Sequence, residues 1–79
     1  MEIKILGHGC ANCANLERAA RAAADELGVD ATFTKVQDDA SIVGYGVMRT
    51  PGLVVDEQLL VSGRVPTAAQ VKELLEPLV

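Results

Sequence analysis

Tryptophan is absent from this 79-residue chain, and phenylalanine and tyrosine occur once each. So sparse an aromatic set excludes a base-stacking platform for single-stranded nucleic acid. It also leaves alanine, valine and leucine to build the core. A basic surface is lacking too: 7 Lys and Arg stand against 11 Asp and Glu, for a net charge of −4. That balance excludes the cationic face that a phosphate backbone selects. No run of like charge exceeds two residues, so no charged tail is expected. No apolar stretch approaches the ~18 residues of a membrane-spanning helix. The first apolar run is about five residues and is broken by Lys4, short of the core of a secretory signal. The chain therefore reads as cytoplasmic, with neither nucleic acid nor membrane as a partner. Disorder is excluded by a composition that is 49% hydrophobic and 23% charged. A chain this short forms one domain and buries only about 60% of its unfolded surface.

Cysteine is scarce as well, and its placement is the most informative feature. The two cysteines, Cys10 and Cys13, frame Cys10-Ala11-Asn12-Cys13. A structural disulfide does not persist in a reducing compartment. A loop of four residues would also be a weak staple, since disulfide stabilisation grows with loop length. The pair therefore points to redox exchange or to metal binding. A C-x-x-C between a strand and a helix is where a disulfide can be made and broken, because the helix N-terminus stabilises a thiolate.

Glu2 to Leu6 reads as a strand, followed by a flexible turn at Gly7-His8-Gly9. Ala11 to Leu27 reads as a helix, with Leu16, Ala20, Ala23 and Leu27 on one face. Glu17, Arg21 and Asp25 alternate in charge along another face. Gly28 suits the position after a helix end. Val29 to Val36 reads as a second strand, which completes a βαβ unit that should be right-handed and parallel. Asp38 and Asp39 can cap a short helix over Ala40 to Tyr45. Leu53 to Val55 and Leu59 to Val61 read as strands of an antiparallel hairpin, and the type of its turn stays open because Asp56-Glu57-Gln58 lacks an Asp-Gly signal. Pro66-Thr67 opens the last helix, where Thr67 and Gln70 have capping-box spacing and Val71, Leu74, Leu75 and Leu78 form the apolar face.

The order β-α-β-α-β-β-α, with C-x-x-C at the start of the first helix, resembles a minimal thioredoxin fold. Tyr45-Gly46-Val47-Met48-Arg49-Thr50-Pro51 resembles the thioredoxin segment that leads to a cis-proline. Gly63 and the run Thr67 to Leu75 match the segments that follow the last strand. Gly9 to Cys13 and Thr50 to Asp56 look closest to the small bacterial and archaeal proteins called redox-active disulfide protein 2. The resemblance implies an α/β fold with a four-stranded mixed sheet, in which the strands, numbered along the chain, lie in the order β2-β1-β3-β4 flanked by three helices. The chain departs from thioredoxins at the active site, where Gly9-Cys10-Ala11-Asn12-Cys13-Ala14 stands in place of Trp-Cys-Gly-Pro-Cys-Lys. Lys4 stands where thioredoxins carry a buried carboxylate. No complete glutathione-binding pattern is present.

Cys10, the first cysteine, is expected to attack, and Cys13, one turn further, to be buried and to resolve the mixed disulfide. The resemblance implies that Pro51 is cis, and that Thr50 offers backbone groups to an extended substrate. Asn12 is expected to be the exposed middle of the motif, and Ala11 and Asn12 are candidate modulators of the sulfurs. His8 is a solvated turn residue that could still modulate the thiolate. Lys4 is expected to keep its head in water, and Tyr45 to be a packing residue. The function implied is a thiol–disulfide oxidoreductase with no bound cofactor beyond the reversible Cys10–Cys13 disulfide. Its partners would be a disulfide-bearing protein and a reductase or dithiol donor, and a monomer is expected. The alternative is a carrier or sensor of soft metals or metalloids using Cys10, Cys13 and His8. Two cysteines fall short of a closed zinc site.

Overall fold

The computed structural model describes residues 1–8 and 11–78. The chain runs β1 (Glu2–Leu6), α1 (Ala11–Leu27), β2 (Thr32–Val36), α2 (Asp39–Gly44), β3 (Gly52–Val55), β4 (Gln58–Ser62) and α3 (Ala68–Leu75), and ends in a 3₁₀ turn (Glu76–Leu78). The sheet order is β2-β1-β3-β4. β1 pairs parallel with β2 and antiparallel with β3, and β3 pairs antiparallel with β4. This is the four-stranded mixed sheet with three helices that the resemblance implies.

α1 stops where the sequence signals it. Gly28 takes a φ of 66°. Its N–H donates to the Asp25 carbonyl at 3.1 Å, and the Val29 N–H donates to the Ala24 carbonyl at 3.0 Å. These two bonds are a Schellman motif, which satisfies carbonyls that the helix end would leave bare. They also explain why β2 begins at Thr32 and not at Val29. Val29 finishes the cap, and the ladder starts where the Thr32 N–H reaches the Met1 carbonyl at 2.9 Å.

α2 begins one residue earlier than expected, because Asp38 alone is the cap: its carboxylate accepts from the Ser41 N–H at 2.8 Å. α3 carries the expected capping box, with the Thr67 hydroxyl accepting from the Gln70 N–H and the Gln70 side chain accepting from the Thr67 N–H. Val71 and Leu75 are buried, and Leu74 is half-buried. Leu78 does not continue that face. It lies in the 3₁₀ turn and is exposed.

The hairpin turn is Asp56-Glu57, both residues with positive φ, at 48° and 69°. A two-residue loop with that signature is a type I′ turn, whose twist matches the strands. No glycine is used. Asp56 instead pairs with β1, donating its N–H to the Glu2 carbonyl and accepting from the Glu2 N–H, each at 2.8 Å.

The sheet separates two apolar layers. Ile3, Ile5, Leu53, Val55 and Val61 pack with Leu16, Ala20 and Ala23 of α1 and with Val71 and Leu75 of α3. On the opposite face, Leu6 and Val54 pack with Ile42 of α2 and with Val47. Period-two alternation along β1 sends Ile3 and Ile5 to the first layer and Leu6 to the second.

Candidate functional site

Three segments meet at the end of β1. Gly7 is not part of a loose turn. It is buried, and its N–H donates to the Val36 carbonyl at 2.9 Å, which extends the parallel ladder by one step. A methyl group placed on Gly7 would run into the Cys13 sulfur and would lie 3.6 Å from the Thr50 Cβ. Gly7 thus marks the place where Cys13 and the loop before β3 approach one another, and only a residue without a side chain allows that approach.

Cys13 is the third residue of α1 and is buried, 6% exposed. Ala11 and Asn12 precede it on the exposed start of the helix. Cys10, the expected attacking thiol, and Gly9 lie outside the described residues.

The Thr50–Pro51 peptide bond is cis. Thr50 is exposed, whereas Pro51 is fully buried. The Pro51 carbonyl accepts from the Gly63 N–H at 2.9 Å, and the aliphatic part of Arg49 lies over Gly63. Gly52, the first residue of β3, leaves no room for a side chain: a Cβ there would be 2.9 Å from Val47. Gly52 at the end of this loop and Gly63 after β4 thus leave room for Val47 and Arg49 to pack against the backbone. Among the described residues, none pairs with the Thr50 backbone.

His8 turns toward α2. Its Nε2 lies 2.9 Å from Asp39 Oδ1, and the ring is more than half exposed. The solvated-turn expectation therefore needs one addition, a carboxylate neighbour.

A small pocket opens beside Cys13, lined by Ile5, Gly7, Ala14, Glu17, Lys35 and Gln37. Glu17 follows Cys13 by one helical turn. Its carboxylate lies 2.9 Å from Arg21 Nε and 3.4 Å from Lys35 Nζ. The Arg21 hydrogen bond holds the Glu17 carboxyl below the usual carboxylate range; desolvation opposes this, and Lys35 reinforces it. Arg21 also lies over the Phe33 ring, 4.4 Å from its centroid. The sequence presents Glu17 only as one charge in an alternating stripe. The i,i+4 spacing from Cys13 was the available signal for its place in this pocket.

Lys4 corrects an expectation. Its head is not in open water: Nζ donates to Tyr45 Oη and to Glu57 Oε1, each at 2.6 Å, and stands 3.3 Å from Glu2 Oε1. The Tyr45 hydroxyl donates to Glu57 Oε2 at 2.7 Å. Tyr45 therefore packs against the second apolar layer and also ties α2 to the hairpin turn. Ile5, the next residue of β1, lines the Cys13 pocket, so alternation puts Lys4 on the face away from the sulfur.

Comparison with known proteins agrees with this arrangement. A family model described as Thioredoxin domain matches residues 1–76. A protein named Thioredoxin from Methanothermobacter thermautotrophicus is 45% identical over 75 residues, covering 95% of this chain and 97% of the relative. A second protein named Thioredoxin, from Methanocaldococcus jannaschii, is 35% identical over 74 residues, covering 94% of this chain and 85% of the relative. The family model spans the strand, helix and loop that converge on Gly7, and the chain belongs to the thioredoxin domain family.

Proposed function

We propose that this protein is a thiol–disulfide oxidoreductase that exchanges the Cys10–Cys13 pair with disulfides of a partner protein. The observation that carries the reading is the convergence at Gly7 of a buried Cys13 in the first turn of α1 with the exposed Thr50. Family membership and the two relatives named Thioredoxin support the same chemistry.

Cys10, which directly precedes the first helical residue in the sequence, attacks as the thiolate. It bonds to one sulfur of the partner disulfide, and the other partner sulfur leaves as a thiolate. Cys13 then gives up its proton and attacks the Cys10 sulfur, which releases the second partner thiol. The partner disulfide gains two electrons, and the protein leaves as the Cys10–Cys13 disulfide. A dithiol donor or reductase returns it to the reduced form. Thr50 receives the partner chain in extended form through its backbone N–H and C=O, with Pro51 fixing the loop, and His8, Ala11 and Asn12 border the reacting sulfurs.

The reading is tested by trapping. Cys13→Ser should accumulate a mixed disulfide through Cys10, visible by mass spectrometry and released by dithiothreitol. Cys10→Ser should form no adduct and reduce no disulfide. Full disulfide-reducing activity in Cys10→Ser would sink the proposal.

A further inference from the structure

Cys13 has to become a thiolate before it can attack, because the thiol is a poor nucleophile. Its burial opposes that ionisation. The exchange reaction proposed above therefore needs a place for the Cys13 proton. Ile5 and Ala14 supply an apolar wall to the pocket beside Cys13, and Gly7 supplies backbone only. Glu17, Lys35 and Gln37 complete it. Of these, Glu17 is the one that carries a base. It lies at i+4 from Cys13, on the same face of α1. Its side chain is 18% exposed, against 66% for Lys35, so the carboxylate is the more enclosed partner of the pair. Lys4 is on the other face of the sheet and cannot serve.

We propose that Glu17 accepts the proton of Cys13 during resolution and passes it to solvent at the pocket mouth. The inference rests on the exchange reaction of the preceding section. The Cys13 S–H bond breaks as its sulfur bonds to Cys10, the bond from Cys10 to the partner sulfur breaks, and the partner leaves as a thiolate. The proton goes to a Glu17 oxygen, directly or across one water, for which the pocket has room. Arg21 from α1 and Lys35 from β2 are the charged groups that face Glu17. They keep it ionised and ready to accept, and they also make it a weak base. Its contribution thus falls at the low end for general base catalysis.

The test separates the two chemical steps. Dithiobis(nitrobenzoate) releases one coloured thiolate when Cys10 attacks it and a second when Cys13 resolves the adduct. In Glu17→Gln the first release should be unchanged. The second should slow by about a hundredfold near neutral pH. Its rate should then climb in proportion to hydroxide, where the wild-type profile is flatter. A second release at the wild-type rate and with the wild-type pH profile would overturn the role of Glu17. So would equal slowing of both releases, which marks a structural defect. A wild-type protein that releases a single thiolate per chain lacks the resolving step altogether. That result would overturn the exchange mechanism itself, and not only the assignment of Glu17.

Discussion

The two faces of the sheet are held in different ways. The face under α1 and α3 is closed by aliphatic packing between two helices and strands β1, β3 and β4. The face under α2 has a single helix of six residues, and its apolar cluster is Leu6, Ile42, Val47 and Val54. Polar groups complete it: Lys4, Tyr45, Glu57 and Glu2 join the sheet, the end of α2 and the hairpin turn. The comparison teaches where stability and reactivity lie. The thick face carries the stability and holds the helix that presents Cys13. The thin face holds the loop from Tyr45 to Pro51, in which Met48, Arg49 and Thr50 are exposed.

Substitution tests the contrast, and the largest effect is expected in the thick face. Leu16 is fully buried, so Leu16→Ala should cost about 4 kcal/mol, within the range for core truncations. Ile42→Ala on the thin face should cost about 2 kcal/mol, because a short rim helix can settle into the space left. Urea denaturation of both variants checks the difference, and equal losses would break the comparison.

Gly7→Ala tests the seam between the faces. The new methyl overlaps the Cys13 sulfur, and overpacking of this kind costs roughly 1–3 kcal/mol. Because the strain falls on the sulfur itself, disulfide exchange should fall by more than the loss of folded protein accounts for. Activity per folded molecule, from parallel denaturation and turnover assays, measures this.

Thr67→Ala removes one half of the α3 capping box and should cost about 1 kcal/mol, read as a shift of the urea midpoint.

Lys4→Met should have the smallest effect on stability near neutral pH, since ion pairs at the surface contribute little. Its signature is the pH dependence. Lys4 and then Tyr45 hold the Glu57 carboxyl below its ordinary range. A depressed carboxyl stabilises the fold above that range and loses the contribution as pH falls through it. Glu57 and then Tyr45 hold the Lys4 ammonium above the ordinary lysine range. That contribution is present below the ordinary lysine range and is lost only as pH rises beyond it. The stability gap between wild type and Lys4→Met should therefore be constant around neutrality and close as pH falls below about 4.5, the ordinary glutamate region. A gap that widened in acid would refute the clamp.

Much of this was legible in the sequence because the signals were local. The bounds of α1 follow from an apolar stripe and a terminal glycine, and the capping box of α3 from two residues three apart. Cys13 and the Thr50–Pro51 loop could be singled out because each belongs to a recognisable motif. What could not be read was non-local. Lys4 and Glu57 are 53 residues apart, and nothing in either neighbourhood announces the other. Glu57 reaches Lys4 only because the turn is type I′, and that turn is made without its usual glycine. The start of β2 was misplaced for a related reason. Val29 has the side chain of a strand residue, but its N–H is committed to closing α1.

The apolar run Leu59-Leu60-Val61 in β4 has a consequence for association. β4 is an edge strand, and its pairing with β3 shifts register, so that Leu53 faces Val61 while Val54 faces Leu59. Leu60 is the extra residue of a β-bulge. The irregularity sends Leu59 to the thin face and lets Leu60 and Val61 both pack on the thick one. It also bends the outer rim. An incoming strand would find the ladder out of step there, and the most aliphatic segment of the rim is a poor template for aggregation.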